Sequence, residues 1–159
     1  MALNVLFVCQ HGAAKSIMAA RYLTQLAQAR GLDITAAAAG VEPDEVIPPH
    51  VIACLQEDGL DLQQEAPQPA TRELLESAEI VVSFACDLTA LTEDAERFVQ
   101  WTGVPAVSDG YDAARSAILS RLPAILDELN RVRVEFPEEF DSDPISNASP
   151  RLGRDGLPP

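Results

Sequence analysis

Short, almost uniformly apolar runs alternate along this chain with longer stretches whose apolar residues recur every three or four positions. The first run, Leu3 to Val8, is typical of a strand that is buried on both faces of a parallel sheet. Strands are predicted over 3–8, 33–38, 80–84 and 98–101. Helical spacing predicts helices over 16–30, 50–58 and 71–77, and a long one from residue 110 onward. Strands and helices therefore follow one another in alternation.

This alternation indicates an α/β fold built on an open four-stranded parallel sheet, with helices on both faces and right-handed crossovers. In such sheets, ligands bind beyond the carboxyl ends of the strands. Cys9 follows the first predicted strand, Cys86 lies just past the third, and the loop 101–109 follows the fourth. These three elements should therefore meet at one edge of the sheet, where we expect the functional site.

The length and composition fit one compact domain. Of 159 residues, 47% are hydrophobic, which is enough to build one core of that size, and we assign residues 1–134 to this domain. Residues 135–159 are rich in proline and acidic residues and poor in large apolar ones. Because such a segment cannot bury enough apolar surface to fold, it is predicted to be a disordered tail.

The charge balance and the cysteines limit the classes of partner. A net charge of -14 opposes binding to nucleic acid or to anionic membrane surfaces, since both require clustered lysine and arginine. No apolar run approaches the roughly 18 residues of a membrane span. The three cysteines show no disulfide framework and suit the reducing cytoplasm, where we expect the protein to be located.

The turn between the first strand and the first helix has the features of an anion cradle. Successive backbone N–H groups of such a turn point at one spot, and the start of the helix adds partial positive charge. Gly12 can adopt a positive φ, and the two alanines after it keep large side chains away from the bound anion. We therefore expect an oxyanion to be bound by Gln10, His11, Gly12, Ala13, Ala14 and Lys15.

The side chains of this turn predict nucleophilic chemistry. The field that holds an oxyanion also stabilises the thiolate of Cys9, with Lys15 adding charge and the Ser16 hydroxyl able to donate to the sulfur. Lys15 is the only lysine in a chain with 11 basic residues, which indicates that its site selects it. Ser16 is also a suitable helix N-cap, and His11 is expected to pack within the loop rather than to act as a base.

The whole pattern resembles the low-molecular-weight protein tyrosine phosphatase family and its thioredoxin-coupled arsenate reductase relatives. Their signature is a cysteine, five residues, an arginine and a serine directly after the first strand, and Cys9 to Ser16 occupy that frame. Similar segments follow at 38–41, 57–62 and 78–83, so that the likeness covers residues 3–134. The resemblance implies the fold predicted above and attack of Cys9 on a phosphoryl group, with no metal or organic cofactor.

Three departures from the family pattern fall on residues that would act in catalysis. Lys15 stands where the family has an arginine that forks two donors onto the phosphoryl oxygens. Gly12 replaces an asparagine in the middle of the loop, and Ala106 replaces the aspartate that serves as the general acid. Asp109 or Asp112 is the candidate replacement for that acid, provided that the loop bends back.

Two alternatives to a phosphatase stay open at this point. In the reductase relatives, a second cysteine at the end of the third strand resolves the attacked one, and Cys86 matches that position, although no third cysteine follows it. The chain would then reduce arsenate with thioredoxin or a small thiol as its partner. A changed loop cation together with a missing acid favours instead a non-catalytic domain that binds oxyanions or phosphoproteins.

Overall fold

A computed structural model describes residues 3–60, 66–88, 91 and 98–135 of the chain. Within them lie the strands β1 (Leu3–Cys9), β2 (Ile34–Gly40), β3 (Ile80–Ser83) and β4 (Phe98–Gln100). The helices are α1 (Lys15–Ala29), α2 (Pro49–Glu57), α3 (Arg72–Ser77) and α4 (Tyr111–Glu135). A 3-10 turn at Val107–Asp109 precedes α4. The predicted order of elements is therefore confirmed.

The four strands form one parallel sheet in the order β2-β1-β3-β4. At its carboxyl end, Cys9 in β1 pairs with Gly40 in β2, and Val8 pairs with Ser83 in β3. The ends of three strands therefore meet at one edge. The prediction of an α/β fold with an open four-stranded parallel sheet is confirmed.

The two faces of the sheet carry two separate apolar cores. Side chains of β1 alternate between them: Val5, Phe7 and Cys9 belong to one core, and Leu6 and Val8 to the other. The first core is shared with α1, α2 and α4, and the second with α3. Burial on both faces explains why β1 and β3 are apolar at almost every position.

The helix ends follow from local sequence. After α1, Gly31 takes a φ of +68°, a left-handed conformation that turns the chain toward β2. At the start of α3, the Thr71 hydroxyl accepts a hydrogen bond of 3.1 Å from the backbone N–H of Leu74, as an N-cap should. Both ends match the predicted helix limits.

The limits of the predicted domain are only partly described. α4 ends at Glu135, one residue beyond the predicted domain boundary, and the rest of the predicted tail, 136–159, lies outside the described residues. In the described part of the chain, no helix combines the length and the apolar character that crossing a membrane requires.

Candidate active site

A cavity of about 540 Å³ opens at the carboxyl edge of the sheet. Its walls come from the turn between β1 and α1, the loop after β2, the start of α2, the end of β3 and the segment before α4. The lining residues are Cys9, Gln10, His11, Ala13, Ala14, Lys15, Asp44, Pro48, His50, Val51, Phe84, Ala106, Val107 and Ser108. Most of the residues that are predicted to form the anion cradle therefore line this cavity.

The sulfur of Cys9 is the focus of short polar contacts at the base of this cavity. The backbone N–H of Gly12 donates to Cys9 Sγ over 3.1 Å, and Ser16 Oγ lies 3.1 Å from the same sulfur. Cys9 is buried, as is Ser16. The Gly12 N–H donates to the sulfur and the Cys9 thiol donates to Ser16 Oγ, so the two contacts fix the position of Sγ at the cavity.

The start of α1 has no side-chain cap. Its N-cap residue is Ala14, and Ser16 lies within the first turn, so the prediction of Ser16 as N-cap is wrong. The reason is that the Ser16 hydroxyl is directed at Cys9 instead. With no side chain to accept them, the first N–H groups of α1 remain able to bind an anion in the cavity.

The cradle keeps its shape through a close contact between two glycines. Gly12 has a φ of +63°, which confirms the left-handed conformation predicted for it. A Cβ at Gly12 would lie 2.6 Å from the backbone N of Gly40, and a Cβ at Gly40 would lie 2.6 Å from the backbone N of Gly12. Any side chain at either position would therefore push the cradle away from β2.

Lys15 begins α1 and lines the cavity. Its Nζ lies 5.7 Å from the centroid of the Phe84 ring, within range of a cation–π interaction, and Phe84 packs edge-on against Trp101 at 5.4 Å. No carboxylate among the described residues pairs with Lys15. Its charge is thus held by an aromatic face and stays available to an anion.

His11 does not pack within the loop, contrary to the prediction. Its side chain is 60% exposed and lines the cavity, and Nδ1 lies 3.3 Å from Oδ1 of Asp44. Asp44 was not predicted as a site residue. The signal available in the sequence was weak, since Asp44 is one of three acidic residues in the loop after β2.

The segment before α4 supplies no carboxylate to the cavity. Ala106, Val107 and Ser108 line it, whereas Asp109 is exposed and is not among the lining residues. Asp112 points into solvent, with 91% of its side chain exposed, and lies 3.7 Å from Arg115 one turn further along α4. Neither candidate for the missing acid is placed at the cavity.

Cys86 lies near the cradle but in the core on the other face of the sheet. Ala85, with a φ of +62°, turns the chain after β3, and Sγ of Cys86 lies 3.9 Å from the carbonyl oxygen of Val8. Burial raises the pKa of the Cys86 thiol, and the nearby charge of Cys9 adds to this effect. Cys86 is therefore a protonated, buried thiol that does not line the cavity.

Several lining residues were not predicted, because they come from elements distant in sequence. Pro48, His50 and Val51 at the start of α2 form one wall. The helical pattern of α2 gave no sign of which end faces the cradle. Among the described residues, no group of three or more His, Cys, Asp or Glu side chains could hold a metal ion.

Comparison with known proteins gives concordant results. The family described as low molecular weight phosphotyrosine protein phosphatase matches residues 4–99. A protein-arginine-phosphatase from Bacillus subtilis is 31% identical over 83 residues, which make up 51% of this chain and 55% of that protein. The crystal structure of YfkJ from Bacillus subtilis has a TM-score of 0.76 at 15% identity, covering 84% of this chain and 98% of that one.

A thioredoxin-dependent arsenate reductase from Corynebacterium glutamicum has a TM-score of 0.68 at 21% identity, over 82% of this chain and 63% of that one. These two structures share the fold. The match to the family spans more than half of the sequence and includes the cradle, Cys86 and the strands on either side of β1. The chain therefore belongs to the low molecular weight phosphotyrosine protein phosphatase family.

Proposed function

We propose that this protein is a cysteine-dependent phosphatase in which the thiolate of Cys9 attacks a phosphoryl group bound in the cradle. The observation that carries the proposal is that Cys9 Sγ, which accepts from the Gly12 N–H and donates to Ser16 Oγ, lines the same cavity as Lys15, a cation with no carboxylate partner among the described residues. A nucleophile, a backbone donor and a countercharge for the oxyanion are thus together.

The reaction would proceed in two steps. Cys9 Sγ forms a bond to phosphorus while the bond from phosphorus to the leaving oxygen breaks, and that oxygen takes up a proton. Water then attacks the phosphocysteine, phosphate is released, and the thiolate is regenerated. In both steps the backbone N–H groups of the cradle and Lys15 stabilise the negative charge on the phosphoryl oxygens. We place the substrate class at phosphorylated molecules or proteins and the site of action in the cytoplasm.

A thiol-dependent arsenate reductase is the second candidate. It is favoured by Cys86, which follows β3 next to the end of β1 and whose pKa responds to the charge of Cys9. In such a reaction the Cys9 adduct with arsenate would be resolved by Cys86 or by thioredoxin or a small thiol. The burial of Cys86 in the opposite core speaks for the phosphatase, because the resolving sulfur would have to leave that core first.

The proposal is tested by steady-state hydrolysis of p-nitrophenyl phosphate from acid to neutral pH, with Cys9→Ser as the control. We expect turnover that falls by at least about 10⁴-fold in the variant, because a serine hydroxyl at this position is not ionised. Folding of the variant is checked by its melting temperature.

Two other outcomes would contradict the phosphatase. Arsenate reduction that is lost in Cys86→Ser, without turnover of p-nitrophenyl phosphate, would establish the reductase. A melting temperature raised by phosphate, with neither activity, would establish a domain that only binds oxyanions.

A further inference from the structure

The resemblance to the family implies that Ala106 stands at the position of the family's general acid. Ala106 lines the cavity but holds no exchangeable proton, and Asp109 does not reach the lining. Expulsion of a poor leaving group, such as a tyrosyl oxygen with a pKa of about 10, needs a proton donor in the transition state. Donors must therefore be sought among the titratable side chains that do line the cavity, and the described ones besides Cys9 are His11, Lys15, Asp44 and His50.

We propose that His11, oriented by Asp44, is the general acid of this site. The inference rests on the proposed phosphatase function and assigns its missing proton donor. His11 lies two residues after the nucleophile in the same turn, and both His11 and Asp44 line the cavity.

The contacts of the imidazole determine which of its nitrogens already has hydrogen-bond partners in the protein. Nδ1 of His11 lies 3.3 Å from Oδ1 of Asp44 and 3.3 Å from the carbonyl oxygen of Glu42. Both are acceptors, so Nδ1 carries a proton whether the ring is neutral or charged. No hydrogen bond from a described residue engages Nε2. Nε2 is therefore the nitrogen that would donate a proton to a substrate.

The pair is also fixed through the backbone. The N–H of Asp44 donates to the carbonyl of His11 over 3.0 Å, and the N–H of Glu42 donates to the carbonyl of Gln10 over 2.8 Å. These bonds extend the pairing of β1 with β2 past the ends of the two strands. Asp44 and His11 are therefore tied by main chain as well as side chain, and Asp44 acts as a positioning residue that fixes the tautomer.

The proton can be followed through both steps. In the first, Nε2–H of the imidazolium gives its proton to the leaving oxygen as the bond from phosphorus to that oxygen breaks, which leaves a neutral imidazole. In the second, the neutral Nε2 takes a proton from the attacking water as the bond from sulfur to phosphorus breaks. Cys9 thiolate and the His11 imidazolium are then both restored.

The other histidine does not have these contacts. His50 on α2 faces the ring of Tyr111 edge-on at 6.0 Å, and Sγ of Cys54 lies 3.9 Å from its ring nitrogens. No carboxylate among the described residues forms an ion pair with it. His50 thus lines the same cavity without a group that fixes its tautomer, which makes it a matched control.

The test compares two leaving groups in His11→Asn and Asp44→Asn. We measure kcat/KM, which reports the first step, for phosphotyrosine and for p-nitrophenyl phosphate, whose leaving group needs little protonation. His11→Asn should lower the value for phosphotyrosine by about 10²-fold or more and that for p-nitrophenyl phosphate by less than about 10-fold. Asp44→Asn should show the same bias with a smaller loss. His50→Asn should change both values by the same factor.

A second variant tests the same assignment through the recovery of activity. Ala106→Asp restores a carboxyl group at the position of the family's acid and should recover phosphotyrosine hydrolysis selectively in the His11→Asn background. Equal losses on both substrates in His11→Asn, or no loss, would overturn the role of His11 while Cys9-dependent turnover still upheld the phosphatase. Absence of Cys9-dependent turnover in the wild-type protein would overturn both.

Discussion

The start and the middle of α1 carry polar clusters of opposite character. At its start, Lys15 and the first N–H groups of the helix face a cavity, with no carboxylate from the described residues on the lysine. Further along, the Tyr22 hydroxyl donates to Asp58 over 2.5 Å and lies 2.8 Å from the hydroxyl of Tyr111. Arg115 donates to both carboxylate oxygens of Asp58, over 3.1 and 3.3 Å.

The difference between these clusters separates binding from structure. Every charge in the Tyr22–Asp58–Arg115 cluster has an opposite charge or a hydrogen-bond partner inside the protein, so the cluster joins α1, α2 and α4 without any ligand. In the cradle, no carboxylate from the described residues pairs with Lys15 and no side chain caps the first N–H groups of α1, so both can contact an anion under the proposed function. Polar groups that the fold leaves without such partners therefore mark the start of α1 as the candidate site.

Lys15→Met should have the largest effect on this contrast. The substitution keeps an unbranched side chain against Phe84 and removes the cation, so kcat/KM for p-nitrophenyl phosphate should fall by about 10²–10³-fold. The melting temperature should change little, because the charge has no carboxylate partner to lose among the described residues. Steady-state kinetics and thermal unfolding measure the two quantities.

Lys15→Arg is the matched variant with the charge retained. A guanidinium can hold two phosphoryl oxygens at once, so we expect activity to rise. A fall would show that the cavity around Phe84 is built for lysine, and it would contradict the view that lysine weakens the cradle.

Gly40→Ala should break the cradle without touching any charge. Its Cβ would meet the backbone of Gly12 at 2.6 Å, and backbone cannot yield as a flexible side chain can. Displacement of the loop by about 1 Å can cost about 10²-fold in kcat/KM. Gly31→Ala is the control, since its positive φ strains the chain where nothing lies within 4 Å. Both variants should have a lower melting temperature than the wild-type protein. Only Gly40→Ala should also lose activity at temperatures well below its own melting temperature.

Asp58→Asn should lower stability and leave activity unchanged. Its effect on activity should therefore be smaller than those of Lys15→Met and Gly40→Ala. The Tyr22 hydroxyl and then Arg115 hold the pKa of Asp58 below its ordinary value of about 3.9. A lowered pKa gives stability that is present above pH 3.9 and lost as the pH falls through the folded-state pKa. The variant should lose about 1–2 kcal/mol at neutral pH in urea unfolding, and the difference should shrink below pH 4.

Asp112→Asn serves as the comparison for Asp58. It also lies near Arg115, at 3.7 Å, but its side chain is 91% exposed, so its loss should stay within about 0.5 kcal/mol. If Asp112→Asn lowered the free energy of unfolding as much as Asp58→Asn, the hydrogen bond from Tyr22 would not explain why Asp58 stabilises the fold more than Asp112.

The sequence predicted the sheet well because its information is local. Each strand residue records burial on its own face, and the turn after Cys9 records the need for small residues around an anion. Contacts between segments that are distant in sequence produce no comparable local pattern, so they could not be predicted. The pairing of Asp44 with His11 and the contact of Gly12 with Gly40 depend on the register of β2 against β1, which alternating or continuous apolar patterns do not specify.

The two aspartates predicted as replacement acids show the same limit. Asp109 and Asp112 were reasonable candidates from their distance along the chain, but the 3-10 turn at Val107–Asp109 directs Val107 and Ser108 at the cavity instead. The direction of a side chain in a short turn follows from backbone angles that no periodic pattern records. A residue in the loop after β2, remote in sequence, reaches the cavity more easily.

The single lysine of the cradle also makes the site chemically addressable. Lys15 is the one side-chain amine in these 159 residues, and it lies in the cavity wall beside the nucleophile. An amine-directed acylating reagent would therefore find its only side-chain amine target in this cavity, and acylation would remove the positive charge there. An arginine at this position would be inert to the same reagents. Lys15 thus gives this cavity a group for covalent labelling that an arginine would not supply.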